Sequence, residues 1–261
     1  MRIDLHNHTY LCNHSEGTVS EFVEQAIREK IDIFGFSDHN PMSFDPKYRM
    51  KFEELSLYFK MVDEVREKYR GKIQILKGFE VDYLPKYHDK RVLNSDVDYL
   101  IGSIHFLEEW GFDNPEFIGR YKTENIDLLW KKYFKEVQNM AESGLFQIVG
   151  HIDLMKVFKF LPKENRIEDL IEPALKSIKK SGMAVEINGA GYRKPIGEPY
   201  PKLSIIQMLY DLKIPITFGS DAHSPNQVGK FLSETEKVAQ NIGYQNVAIF
   251  RNKKMEMVKI V

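Results

Sequence analysis

Ile31-Asp32-Ile33-Phe34-Gly35-Phe36-Ser37-Asp38-His39-Asn40 is an apolar run that breaks abruptly into Ser, Asp, His and Asn. A run this short and this continuously apolar reads as a strand covered on both faces, the condition of a parallel sheet. The pattern recurs. Residues 1–5 run into Asp4-Leu5-His6-Asn7-His8, 73–79 into Gly78-Phe79-Glu80, and 99–104 into Gly102-Ser103-Ile104-His105. Residues 147–149 run into Gly150-His151-Ile152-Asp153, 183–187 into Glu186-Ile187-Asn188, and 214–218 into Ser220-Asp221-Ala222-His223.

Helical segments separate these runs. Thr18 and Glu21 have capping-box spacing, with Phe22, Ala26 and Ile27 following at helical intervals. Residues 52–69, 126–143, 167–181 and 203–212 show helical periodicity, with Gly144 and Gly182 as stops. Seven strand-then-helix units of about 37 residues each predict a closed or nearly closed α/β barrel. An open doubly wound sheet is the alternative. It loses support because no Gly-x-Gly-x-x-Gly follows any strand and no Walker A motif occurs. No linker or low-complexity tract divides the chain, so residues 1–261 are expected to form one domain.

Composition narrows the function classes. With 261 residues and 43% hydrophobic content, a disordered or collagen-like chain is excluded. Lys and Arg total 37 against 38 Asp and Glu, a formal charge of −1, so no overall positive field would draw nucleic acid or an anionic membrane. A single Cys cannot form an internal disulfide, and residues 1–17 lack a signal-peptide pattern, so a reducing cytoplasm is expected. No apolar run approaches the roughly 20 residues that span a bilayer.

In a parallel α/β barrel the chemistry gathers at the C-terminal strand ends. Those ends supply His6, His8, His14, His39, Glu80, His105, His151, Asp221 and His223 as candidate ligands. Imidazole and carboxylate together suit zinc, iron or manganese, and nine ligands are too many for one ion but right for two or three. His6 and His8, two apart on a strand, point the same way, and Glu80 has two oxygens with which to bridge two ions. His88, in Lys86-Tyr87-His88-Asp89-Lys90, reads as a solvated residue, and Cys12 as a small buried hydrophobe.

The ordered motifs Asp4-Leu5-His6-Asn7-His8-Thr9, Ser37-Asp38-His39, Gly78-Phe79-Glu80, Gly102-Ser103-Ile104-His105, Gly150-His151-Ile152-Asp153 and Ser220-Asp221-Ala222-His223 resemble those of the PHP (polymerase and histidinol phosphatase) superfamily. The resemblance implies a distorted (β/α)7 barrel, similar to a TIM barrel, with a centre of three divalent ions. It implies His6, His8, Glu80 and Asp221 around the first ion, Glu80, His105 and His151 around the second, and His14, His39 and His223 around the third. Many members carry Asp where this chain has His14.

Two segments look like the histidinol-phosphate phosphatase branch: His105-Phe106-Leu107-Glu108-Glu109-Trp110-Gly111-Phe112-Asp113-Asn114-Pro115 and Glu186-Ile187-Asn188-Gly189-Ala190-Gly191-Tyr192-Arg193-Lys194. The implied activity is hydrolysis of L-histidinol phosphate to L-histidinol and phosphate, a step of histidine biosynthesis. The expected attack is by a metal-bridging hydroxide, with Glu80, Asp221 and Arg193 as catalytic residues. A small phosphate ester is thus the expected partner, and no nucleic acid. Arg193, in a Gly-flanked loop, is the candidate for a forked phosphate contact, with Lys194 and Lys156 as lesser ones. Trp110 and Phe112 are expected to wall the substrate's imidazole and amine portion, with Asp113 or Glu109 facing its ammonium. Asp38, Asp82 and Asp153 are candidates for orienting ligand imidazoles. The alternatives are a PHP phosphoesterase acting on another small ester or a nucleotide, or a non-catalytic metal-binding module.

Overall fold

The structure, a computed structural model, describes residues 1–260. Seven parallel strands lie side by side in chain order: β1 (Ile3–Asp4), β2 (Ile33–His39), β3 (Gln74–Asp82), β4 (Tyr99–Ser103), β5 (Ile148–Val149), β6 (Ala184–Asn188) and β7 (Ile216–Gly219). Past their ends, β1 and β7 continue to pair: Leu5 N donates to Phe218 O at 2.9 Å, Asp221 N to His6 O at 2.8 Å and His8 N to Ala222 O at 2.9 Å. Asp4 fastens this seam. Its buried carboxylate accepts Ser220 N at 2.9 Å, Asn7 Nδ2 at 3.0 Å and Gly229 N at 3.2 Å. The result is a nearly closed barrel, as the strand pattern predicted, and not an open sheet.

Each strand is followed by a helix: α1 (Val19–Arg28), α2 (Leu55–Lys68), α3 (Lys90–Leu93), α4 (Ile126–Glu142), α5 (Ile167–Ser181), α6 (Leu203–Asp211) and α7 (Leu232–Ile242). α1 opens on the expected capping box, with Glu21 N donating to Thr18 Oγ1 at 3.3 Å and Thr18 N to Glu21 Oε2 at 2.7 Å. α5 stops at Gly182, which takes the left-handed conformation that closes a helix end. The segment expected to be helical from residue 52 opens with one 3-10 turn, Phe52–Glu54, before α2.

Two hairpins lie outside the barrel, pairing Phe106–Leu107 with Trp110–Gly111 and Asn246–Arg251 with Lys254–Lys259. The barrel interior is packed. Tyr99 reaches from β4 across to β1, where its hydroxyl donates to Leu5 O at 2.6 Å. Gly35 on β2 leaves room for this crossing, because a Cβ there would fall 2.0 Å from the Tyr99 hydroxyl. No helix among the described residues is long and apolar enough to cross a membrane.

Candidate metal centre and its cavity

Glu80 projects from β3 at the centre of an imidazole ring set. Its Oε1 lies 2.8 Å from His151 Nε2 and 3.5 Å from His105 Nε2. Its Oε2 lies 3.1 Å from His39 Nδ1, 3.3 Å from His6 Nε2 and 3.6 Å from His8 Nε2. The two oxygens of one carboxylate therefore face two different groups of imidazoles. Asp221, just past β7, brings Oδ1 to 3.2 Å from His8 Nε2 and 3.9 Å from His6 Nε2.

Donor atoms within 4.8 Å of one another fall into His6–His8–Asp221 and Glu80–His105–His151. The first set holds three of the four residues expected around one ion, with Glu80 Oε2 3.3 Å from His6 Nε2, and the second holds the three expected around another. The third expected group is looser. His39 and His223 share such a set with His8, whereas His14 shares one with His223 and Cys12. The His14 ring centroid nevertheless stands 5.3 Å from that of His39 and 4.6 Å from that of His223.

Whether these residues fit metal ions is tested by their second nitrogens. His6 Nδ1 lies 2.7 Å from Glu186 Oε1, His105 Nδ1 2.7 Å from Asp82 Oδ1, and His14 Nδ1 2.8 Å from the Cys12 carbonyl. His8 Nδ1 is 3.4 Å from Asp38 Oδ1, and His223 Nδ1 is 3.2 Å from the Asp221 carbonyl. An acceptor at Nδ1 fixes the tautomer and leaves the Nε2 lone pair directed inward. His6, His8 and His223 each keep a buried Nε2 with no hydrogen-bond partner, and His39 a buried Nδ1. Buried nitrogens are rarely left so. A cation would satisfy all four, so the donor set fits.

The electrostatics agree. Burial alone would raise the Glu80 pKa, but the charges of His6, His39 and His105 hold it well below the ordinary carboxylate range. Asp221 is held down in the same way by His6 and His8. For His105, burial acts downward yet Glu80 and Asp82 win, raising it to about 10; Asp221 and Asp38 likewise bring His8 to about 9. His39 and His223 go the other way, well below 6.5, through burial and then neighbouring imidazoles. Two ionised carboxylates thus share a buried space with imidazoles that compete for protons, and divalent cations would replace those protons.

The cluster floors a cavity of about 530 Å³. Arg193 lines it. Its Nη2 donates to the carbonyls of Ser220 at 2.8 Å and Asp221 at 3.0 Å, while the buried Nη1 has no partner. Lys194 and Asp113 also line the cavity.

Other expectations are corrected. Phe112 is fully buried against Tyr133, with ring centroids 5.4 Å apart, and Trp110 is buried against Tyr121, with centroids 4.9 Å apart, beneath the Arg120 guanidinium. Neither lines the cavity, whose aromatic wall comes from Tyr48, Phe106, Phe117 and Tyr200. The tight Phe106–Gly111 hairpin is the cause, because it directs Phe106 inward and Trp110 away. Glu109 is drawn outward by Lys86 and Tyr87. Asp153 orients no ligand, since it binds Lys156 Nζ and Lys202 N, each at 2.9 Å, and this ion pair occupies Lys156 away from the cavity. His88 is half-buried between Tyr83 and Phe146, with its Nε2 buried, and so is only partly solvated.

Sequence reasoning missed Glu186 and Arg49. Glu186 Oε1 holds His6, and its Oε2 accepts His151 N and Asn188 Nδ2, both at 3.0 Å. Gly219 makes this possible, since a Cβ there would meet Glu186 Oε1 at 2.0 Å. A signal existed: a Glu inside the apolar run of β6 is costly unless partnered. Arg49 is buried and donates to Asp82 Oδ2 at 2.9 Å, bracing the carboxylate that holds His105. No local pattern marks it.

Fold and site define a class: a seven-stranded parallel barrel with imidazoles gathered around a central carboxylate at its C-terminal rim. The PHP domain family matches residues 4–190, and the chain belongs to that family. It is 36% identical to a Deinococcus radiodurans protein named a probable histidinol-phosphatase, covering 97% of this chain and 98% of that one. A Bacillus subtilis histidinol-phosphatase is 30% identical over 87% of this chain and 95% of its own. In fold it is similar to a Lactococcus lactis histidinol phosphate phosphatase solved with zinc, L-histidinol and phosphate, at a TM-score of 0.81, 19% identity and 98% coverage of both chains.

Proposed function

We propose that this chain, as one phosphoesterase domain over residues 1–261, is a metal-dependent phosphomonoesterase that hydrolyses L-histidinol phosphate to L-histidinol and inorganic phosphate. The observation that carries the reaction class is Glu80, whose two oxygens face separate imidazole groups beneath a cavity that also holds an unpartnered Arg193 nitrogen. The substrate rests on relatives of matching length that bear this activity in their names. His6, His8, Glu80 and Asp221 would hold one divalent ion, Glu80, His105 and His151 a second, and His14, His39 and His223 a third. Zinc, the ion of the Lactococcus lactis structure, is the candidate we favour over iron or manganese.

When bound, such ions supply Lewis acidity to a phosphoryl oxygen and acidify water. The chain's own residues do the rest. Arg193, anchored through Nη2 to two carbonyls, presents Nη1 to a phosphoryl oxygen; burial strengthens that contact, and no rotamer search precedes it. Asp221 is ionised at neutral pH. Its Oδ2, turned from His8, can accept a proton from the attacking water and return it to the departing alkoxide, so the proton count closes. Asp113 on the cavity wall faces the substrate ammonium, and Phe106, Phe117 and Tyr48 pack its imidazole.

Steady-state hydrolysis of a panel of small phosphomonoesters tests the substrate. L-histidinol phosphate should exceed the others at least ~10-fold in kcat/KM, the discrimination that a few specific pocket contacts give. Efficient turnover of another ester with none of histidinol phosphate would reassign the specificity.

A further inference from the structure

Beyond Arg193 and the imidazoles of the cluster, the cavity wall holds another buried donor without an acceptor. Tyr200 lies in the loop between β6 and α6 and is 1% exposed, yet it lines the cavity and its hydroxyl has no partner. A buried phenol usually finds a partner, and leaving it without one is costly. The main chain that carries this side chain is held firmly. Tyr200 N donates to Asn188 O at 3.0 Å and Asn188 N donates to Tyr200 O at 2.6 Å, which fixes the backbone to the end of β6.

Behind the ring, Lys156 Nζ stands 5.3 Å from its centroid, itself held by Asp153 and Glu198 at 2.9 Å and by the Pro199 carbonyl at 2.7 Å. Gly191 lets the Glu198–Tyr200 segment pack close, since a Cβ there would fall 2.1 Å from the Glu198 carbonyl oxygen and 3.2 Å from Tyr200 Cε2. The His151 ring is 6.3 Å away, which puts Tyr200 beside the imidazole cluster on the cavity floor.

We propose that the Tyr200 hydroxyl donates a hydrogen bond to a phosphoryl oxygen of the bound ester, acting with Arg193 Nη1 as the second protein donor to the phosphate. The two donors suit one acceptor group. Both are buried, both are unpartnered, both line the same cavity, and a phosphoryl group offers three oxygens. The phenol is a neutral donor. Burial, followed by the charges of Asp153, Asp221 and Asp113, raises its pKa, so it keeps its proton where a second cation would have been drawn into an ion pair with those carboxylates. A donor held in place before the substrate arrives needs no reorganisation when charge develops on the phosphoryl oxygens.

This inference rests on the phosphoesterase reading, and its test separates the two. Tyr200→Phe removes only the hydroxyl and keeps the ring against Lys156 and Gly191. On the zinc-loaded protein, calorimetric titration with inorganic phosphate should show affinity reduced about 10-fold, and kcat/KM for L-histidinol phosphate should fall about 10- to 100-fold. Zinc per chain and Tm should match wild type. Unchanged phosphate affinity overturns the proposal, as does a loss of activity that tracks a loss of bound zinc, because that would make Tyr200 a structural support. Wild-type protein that binds phosphate without turning over histidinol phosphate would instead remove the substrate assignment, and the phosphate titration of Tyr200→Phe would still decide the role of the hydroxyl.

Discussion

Glu186→Gln replaces one buried oxygen with an amide nitrogen and leaves the shape unchanged, so its effect reads the hydrogen-bond network alone. Glu186 receives three donors: His6 Nδ1 on Oε1, and His151 N and Asn188 Nδ2 on Oε2. With the Gln carbonyl toward His6, its NH2 confronts two N–H donors. With the amide flipped, its NH2 confronts His6 Nδ1, and imidazole then keeps the favourable contact only by moving its proton to Nε2, the nitrogen aimed at Glu80 and Asp221. Either choice leaves a buried donor without an acceptor or blocks the inward lone pair, a penalty of about 1–3 kcal/mol. Loss of such an outer partner weakens metal affinity about 10- to 100-fold, the same range in free-energy terms. Zinc competition against a chromophoric chelator should therefore show one weakened ion, and phosphatase activity at limiting zinc should fall in proportion and recover as zinc is added. Wild-type zinc affinity in Glu186→Gln would refute the claim that Glu186 sets the His6 tautomer.

Other changes report on different parts of the account. Glu80→Gln should lose metal and lower kcat/KM on the order of 10³-fold, measured by elemental analysis beside phosphate release. Arg193→Met should lower kcat/KM about 10²-fold at unchanged zinc content, the loss of one preorganised donor to developing charge. Phe112→Ala should lower stability by about 3–5 kcal/mol, roughly 6–20 °C in Tm, with KM at a permissive temperature unchanged, because Phe112 is interior packing and touches no cavity.

Asp127 gives an acid-stability test. Hydrogen bonds from Asn165 and from the backbone N–H groups of Lys163 and Glu164 lower its pKa to about 2, tying the loop before α5 to the start of α4. A depressed carboxylate stabilises the fold above its unfolded pKa of about 4 and loses that contribution as pH falls through about 2. Urea midpoints of wild type and Asp127→Asn should therefore differ at pH 7 and converge near pH 2.

The barrel was legible because its strands are buried on both faces, which writes most of them as nearly continuous apolar runs, even β5 with two paired residues. The metal-facing residues were legible for a related reason. A buried His or carboxylate is expensive, so the six strand ends that supply the candidate ligands mark a common rim, while the buried Glu186 at the end of β6 was passed over. What was lost depends on direction and distance. In the 105–115 segment no periodicity tells which aromatic faces inward, and the two-residue hairpin turn decides it for Phe106 against Trp110 and Phe112. The C-terminal hairpin turns on Asn252-Lys253, both at positive φ, without the Gly that usually signals such a turn. α7 starts on Phe231 with no capping side chain. Arg49 and Asp82 are far apart in sequence, and only the folded barrel brings them together.

Phosphate release from L-histidinol phosphate by chelator-stripped protein, followed as zinc is returned stepwise, tests the central claim most directly. The account predicts no hydrolysis without metal and activity that climbs to a plateau near three zinc ions per chain. Hydrolysis by the stripped protein at the rate of the loaded one would contradict it.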